Sequence, residues 1–131
     1  MTAIGRDSSA AKEAARFGIY ASSMPHEQLQ RNGVDPASLT PIIEAIGAGD
    51  LAMGIELTSP DLAERLSISG TPEEVTSKIK SVIEGTGVNH VIAAITDASL
   101  VKAFTGQTLD GVASVDEQLR LLADEVMPSF R

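Results

Sequence analysis

The pattern of apolar and polar positions is clearest between residues 67 and 96. Four apolar residues have the spacing of one helix face: Val75, Ile79, Val82 and Ile83. Thr71 is a preferred N-cap, and Glu74 three positions later can complete a capping box. Pro72 suits the first helical position, and Gly85 and Gly87 are typical of a helix end. The pattern predicts a helix that begins at residue 72 and ends at these glycines.

A run without charge follows this helix, from Val91 to Ile95. It shows little alternation, which is typical of a strand buried on both faces of a parallel sheet. Weaker strand candidates lie at residues 2–5 and 67–69. A helix followed by a buried strand is half of a β/α repeat.

The chain before this unit is predicted to be helical, with no strand inside it. Capping residues and apolar stripes place helices at residues 10–20, 26–31, 35–46, 50–57 and 59–66. Ala11, Ala14, Ala15, Gly18 and Ile19 give the first of these helices a face of mostly small residues. We therefore expect residues 7–66 to form several consecutive helices.

Two further helices are predicted after the apolar run. Asp97 can cap a helix that extends through Phe104, and Ser114 with Glu117 forms a second capping pair. The buried stripe of the last helix is predicted to be Val115, Leu119, Leu122 and Val126.

The composition of the chain argues against several classes of protein. Hydrophobic residues make up 43% and aromatic residues 3%, so the core is predicted to be aliphatic. A net charge of −8 argues against a nucleic acid or an anionic membrane as partner. There is no cysteine, the two histidines lack ligand spacing, and no apolar run reaches a membrane span, so we expect neither a metal site nor a membrane anchor. A cytoplasmic protein is expected.

Candidate chemistry lies where the apolar run ends. In β/α folds, ligands bind at the C-terminal ends of the strands, so Asp97 could accept a hydrogen bond from a ligand and Thr96 could donate one. The alternative is that Asp97 only caps the next helix. Lys102, one turn further on, could meet an anionic tail or could be an ordinary solvated lysine.

A second candidate lies at Ser69 and Gly70, which lead into the helix that begins near residue 72. The free N–H groups of a helix N-terminus can hold an anion. The alternative is that Thr71 and Glu74 already satisfy this end by capping. From the residues alone, no complete catalytic set is present, and the catalytic residues stay unknown.

These segments also carry a family resemblance. Residues 70–75 (GTPEEV), the helix after them and residues 87–91 (GVNHV) resemble the last β/α units of the luciferase-like family of (β/α)8 barrels. Within that family, the chain most resembles the coenzyme F-420-dependent methylenetetrahydromethanopterin reductases. Five segments carry this closer likeness: residues 11–16, 20–23, 31–33, 47–50 and 126–130.

The resemblance implies an α/β fold, namely the C-terminal portion of a (β/α)8 barrel that is helix-rich and has few parallel strands. The chain has 131 residues, whereas such barrels need about 250. We therefore expect residues 1–131 to be a single partial domain, with 7–66 as a helical insertion and 67–131 as the final β/α units. The catalytic residues are expected upstream of residue 1.

The function implied by the resemblance is hydride transfer between coenzyme F-420 and methylenetetrahydromethanopterin in archaeal one-carbon metabolism, without a metal. Flavin mononucleotide is the alternative cofactor. The chain looks incomplete, so we expect it to be inactive alone, and whether it is itself an enzyme stays open. The alternative functions are a piece of a flavin-dependent luciferase-like monooxygenase and a non-catalytic helical assembly module. Because few strands leave unpaired edges, we expect the isolated chain either to associate, as a homo-oligomer or with the missing N-terminal part, or to be poorly folded.

Overall fold

The computed structural model describes residues 1–17 and 23–131. Two short strands are β1 (Thr2–Ile4) and β2 (Ile68–Gly70). The α-helices are α1 (Ser8–Ala15), α2 (His26–Arg31), α3 (Thr40–Gly47), α4 (Leu51–Leu57), α5 (Pro60–Leu66), α6 (Pro72–Thr86), α7 (Ala98–Thr105) and α8 (Val115–Leu121). A 3-10 helix (Pro36–Leu39) precedes α3, and a π-helical turn (Leu122–Val126) and a 3-10 helix (Met127–Phe130) follow α8.

The sheet is small and parallel. In β1 and β2, Thr2 is opposite Ile68 and Ile4 is opposite Gly70. On the other side of β1, Thr2 forms a single parallel bridge with Ile95. The three segments therefore run in the same direction, with β1 in the middle and their C-terminal ends at one edge. The helix-rich α/β fold with few parallel strands is confirmed, and so are the two weaker strand candidates.

The prediction of a buried strand at residues 91–95 was wrong. Only Ile95 pairs with a strand, and the Ile92 side chain is 92% exposed. The reason is that this segment has β1 on one side, while no layer of the described chain covers Ile92. An apolar run predicts burial, but whether the run is buried depends on whether another layer of the fold covers it.

The helix starts agree with the predicted caps. A side-chain oxygen accepts a hydrogen bond from an N–H two or three residues later at Asp7, Asp35, Asp50, Ser59, Thr71, Asp97 and Ser114. At Thr71 and Glu74 both hydrogen bonds of the capping box are present. Helix α6 continues through Gly85 and ends at Gly87, whose φ of 69° is the left-handed conformation typical of a C-cap.

Helix α1 is shorter than predicted, because it ends at Ala15 and not at residue 20. Its small-residue face is buried at Ala11, Ala14 and Ala15 and packs against β1 and β2. The other two predicted members of the face, residues 18 and 19, lie outside the described residues. Alanine methyl groups allow the helix backbone to lie close to the sheet.

Among the described residues, buried apolar side chains form two clusters in addition to the alanine face of α1. The helical cluster is formed by buried residues of the helical region: Leu29, Val34, Leu39 and Ile42. The sheet cluster joins the strand region to the C-terminal helices: Ile4, Val75, Leu121 and Val126. None of the helices in the described ranges has the length and apolar character needed to cross a bilayer.

The predicted stripe of the last helix was wrong in part. Val126 is buried, but Leu119 is 48% exposed, and the buried face of α8 contains Gln118 and Leu121 instead. The helix changes from α to π geometry after Leu121, so Val126 follows Leu121 at a spacing of five residues. A strict α-helical period cannot anticipate this change of phase.

Candidate functional site

The C-terminal ends of the three parallel segments form one edge, which we call the C-terminal rim. It comprises the residues that follow β1, β2 and Ile95: Gly5, Thr71 and Thr96 with Asp97. Helices α1, α6 and α7 begin just beyond it. In parallel β/α structures this is the edge at which ligands bind, so the predicted residues Thr96 and Asp97 lie where a site is expected.

Thr96 is buried and bound within the sheet. Its N–H donates to the Thr2 carbonyl at 3.0 Å, and its hydroxyl approaches the same oxygen at 3.4 Å. The hydroxyl thus has a partner inside the protein. Its role as a donor to a ligand stays a prediction.

Asp97 is half-buried and caps α7. Its Oδ1 accepts a hydrogen bond from the Ser99 N–H at 2.8 Å. Hydrogen bonds from the side chain and then the backbone of Ser99 hold the pKa of the Asp97 carboxyl below its usual value. The carboxylate is therefore ionised at neutral pH and keeps lone pairs for a second donor. The capping alternative is observed, and it leaves room for a ligand role.

An apolar cavity of about 280 Å³ lies beside Asp97. Its side chains come from the residue before β1, the segment after α1, α4, the segment before α7 and α7 itself: Met1, Phe17, Leu51, Ile55, Ile95, Thr96, Asp97, Leu100, Val101, Phe104 and Thr105. Such a surface suits a flat apolar group that presents a hydrogen-bond donor to Asp97. Lys102 is exposed on α7 and is not part of this lining, so the predicted contact with an anionic tail would occur outside the cavity.

Ser69 lies in a second, polar cavity of about 390 Å³ between α1, α5 and α6. Its hydroxyl is 3.2 Å from that of Ser67. Gly70 is buried with a φ of 131°, and a Cβ there would clash with the Glu74 carboxylate. Glycine is thus needed for Glu74 to fold back over the helix start.

The start of α6 already holds a carboxylate, that of Glu74. Three donors reach it: the Ser8 hydroxyl at 2.6 Å, the Thr71 N–H at 2.8 Å and the Lys12 ammonium at 2.9 Å. Together, in the order Ser8, Thr71 and Lys12, they lower the pKa of Glu74 to about 2. The capping alternative is therefore the one observed, and a ligand role for Ser69 and Gly70 stays a prediction.

Sequence reasoning missed Ser8 and Lys12, because they lie more than 60 positions before Glu74 and no local signal connects them. It also missed Gln118, whose side chain is completely buried. Its carboxamide accepts from the Ile4 N–H at 3.2 Å and donates to the carbonyls of Thr96 at 2.8 Å and Ala113 at 2.9 Å. It thereby joins β1, residues 94–97 (which we call the Asp97 segment) and the loop before α8.

Comparison with known proteins identifies relatives with a common activity. No family model matches the chain. The 5,10-methylenetetrahydromethanopterin reductase of Methanolobus tindarius is 30% identical over 93 residues, which are 69% of this chain and 28% of that protein. The solved coenzyme F420-dependent tetrahydromethanopterin reductase of Methanopyrus kandleri superimposes with a TM-score of 0.75 at 27% identity, over 99% of this chain and 34% of that one.

The chain thus spans about a third of the length of the relatives it matches. Sequence and fold agree on the same enzyme, which confirms the family resemblance that the sequence predicted. In sequence and in structure, the chain is a homologue of part of the coenzyme F420-dependent methylenetetrahydromethanopterin reductases, and its partial coverage fits the C-terminal portion of such a luciferase-like barrel.

Proposed function

We propose that this chain is the C-terminal part of a coenzyme F-420-dependent oxidoreductase that transfers hydride to or from methylenetetrahydromethanopterin. The observation that carries the proposal is the superposition of 99% of the chain on such a reductase, at 27% identity. We further propose that it acts in the cytoplasm and in archaeal one-carbon metabolism, and the relation to that reductase supports this proposal.

The residues present fit one edge of a deazaflavin and not the whole coenzyme. A cavity of about 280 Å³ is below the ~300–1,000 Å³ that is usual for small-molecule sites. Its apolar walls and the Asp97 carboxylate suit a flat ring with an N–H donor. Arg6 and Lys12, which follow β1, are both ion-paired, with Glu125 and Glu74, so an anionic tail would be held by other groups.

When bound, the deazaflavin supplies the hydride chemistry, and the protein orients the coenzyme and excludes water from it. In this chain, Asp97 would orient the ring by accepting its hydrogen bond. Phe17, Leu100 and Phe104 would exclude water from one side of it. The two hydrogen bonds from Thr96 to Thr2 would hold the Asp97 segment against β1.

We propose that the chain is inactive alone and associates with further polypeptide. Large apolar side chains are exposed next to the proposed site: Ile92, Leu100 and Phe104. In the relatives, about two thirds of the length lies outside the matching part. In our proposal that further portion lies N-terminal to this chain, and it or a second copy of this chain would cover these side chains and complete a ligand site.

The experiment is a titration of the purified chain with oxidised and reduced coenzyme F-420, followed by absorbance and fluorescence, with flavin mononucleotide as control. It is repeated after addition of the N-terminal two thirds of the Methanolobus tindarius reductase. We expect deazaflavin binding and hydride transfer to the pterin only in the mixture. Preference for flavin mononucleotide would favour a luciferase-like monooxygenase, and no binding in any mixture would favour a non-catalytic helical assembly module.

Asp97→Asn isolates the proposed role of the carboxylate, since asparagine is an equally good N-cap and keeps α7 intact. We expect weaker deazaflavin binding in the mixture without loss of helix. Asp110→Asn, in the exposed connector before α8, is the matched control. Equal affinity of both variants and of the unmodified chain would remove Asp97 from the site.

A further inference from the structure

The hydrogen-bond ladder between β1 and the Asp97 segment stops early. In a parallel pair the bonds are evenly spaced, and Thr2 makes both of its own: it donates to the Ala94 carbonyl at 2.8 Å and accepts from the Thr96 N–H at 3.0 Å. The next bond of such a ladder would run from the Ile4 N–H to the Thr96 carbonyl. Both of these groups are bonded to Gln118 instead.

The Gln118 carboxamide occupies the place of that ladder bond. Its oxygen accepts from Ile4 at 3.2 Å and its nitrogen donates to Thr96 at 2.8 Å. The second N–H of the nitrogen is used by the Ala113 carbonyl at 2.9 Å, so both donors are satisfied. Where an ordinary ladder has one bond of about 2.9 Å, this gap holds two bonds and an amide group.

We infer that Gln118 is a positioning residue that holds the C-terminal ends of β1 and the Asp97 segment apart and thereby sets where Asp97 stands on the C-terminal rim. Its side chain is completely buried, so the spacer is fixed by packing as well as by its bonds. The separation begins at Ile4 and Thr96, one residue before Asp97. The effect on a ligand rests on the proposed function of Asp97.

The spacing itself is tested by nuclear magnetic resonance on the labelled chain, alone or in the mixture with the N-terminal polypeptide. Scalar coupling across hydrogen bonds should connect the Ile4 nitrogen to the side-chain carbonyl carbon of Gln118. Coupling of the Ile4 nitrogen to the Thr96 carbonyl carbon in the unmodified chain would overturn the inference.

Two variants of similar length act on the gap in opposite ways. Gln118→Met removes the polar group, so the unpaired Ile4 N–H and Thr96 carbonyl should close into the direct ladder bond, and their coupling should appear. Gln118→Glu keeps an acceptor for Ile4 but places a second oxygen against the carbonyls of Thr96 and Ala113, so the gap should stay open. If Gln118→Met fails to fold, the unmodified chain still decides: absence of coupling between the Ile4 nitrogen and the side-chain carbonyl carbon of Gln118 would overturn the spacer.

The effect on the rim is measured by deazaflavin affinity in the mixture, at a temperature where every variant is fully folded. We expect a loss of about tenfold for Gln118→Met, which is the size of one hydrogen bond's contribution to binding. Gln107→Met, in the exposed connector, should have no effect. Failure of the unmodified chain to bind would contradict the proposed function, whereas normal binding by Gln118→Met with its ladder closed would contradict the positioning role alone.

Discussion

Glu74 should make the stability of the chain depend on pH in a defined window. Its carboxylate is held by Ser8, Thr71 and Lys12, and its pKa is lowered from 4.5 to about 2. Because the pKa in the folded state is depressed, the stabilisation is fully present above pH 4.5 and is lost as the pH falls towards 2. Glu74→Gln removes this titration while it keeps the length of the side chain.

The magnitude follows from the pKa and the exposure. At about 1.36 kcal/mol per pH unit, the difference between 4.5 and about 2 would correspond to roughly 3 kcal/mol. The side chain is 39% exposed, so solvent screening reduces the contribution to about 1–2 kcal/mol. We expect the unmodified chain to be more stable than Glu74→Gln by this amount at pH 7 and by almost nothing near pH 2.

The assay is urea unfolding of both proteins between pH 7 and 2, and the quantity is the difference between their free energies of unfolding at each pH. Glu84→Gln is the matched control, because Glu84 is exposed on the same helix without those three donors. A difference between the unmodified chain and Glu74→Gln that stays constant over the whole pH range would refute the reasoning.

Three further predictions concern packing, backbone and association. Ile42→Ala should lower the free energy of unfolding by about 2–4 kcal/mol, whereas Ile43→Ala should cost under about 1 kcal/mol in the same urea titration, because the two side chains are 3% and 44% exposed. Gly85→Ala should raise the melting temperature, because alanine stabilises a helix interior by about 0.5–1 kcal/mol relative to glycine. Gly87→Ala should lower the melting temperature, because the left-handed conformation of this residue costs alanine about 1–2 kcal/mol. Phe104→Ser should reduce self-association in sedimentation velocity, because the ring is 72% exposed; unchanged sedimentation would place the association on another face.

The sequence predicted most of what depends on neighbours in the chain. A cap such as Thr71 with Glu74 carries its partner three residues away, so the start of α6 could be read directly. The same holds for Asp97, which was placed correctly both as the cap of α7 and at the end of a parallel segment. Local chemistry was therefore enough for the helix starts and for the position of the rim.

What depends on distant partners could not be predicted. The burial of Val91 and Ile92 requires a neighbouring layer, and an apolar run carries no information about whether one is present. Gln118 has its partners at Ile4 and Thr96, and nothing in the pattern of α8 distinguishes it from a surface glutamine. Such contacts are set by tertiary packing, which leaves no periodic signal.

The two apolar clusters differ in how far apart their members lie along the chain, and this should set the order of folding. The helical cluster draws its buried members from residues 29 to 42, so only short loops must close to form it. The sheet cluster needs Ile4 and Val126, which come from opposite ends of the chain. Contacts between distant residues form slowly, so helices α2 to α5 should assemble first and the sheet should close last. Amides of the helical region should accordingly gain protection early in refolding, and removal of either chain end should abolish the sheet cluster while it leaves the helical one in place.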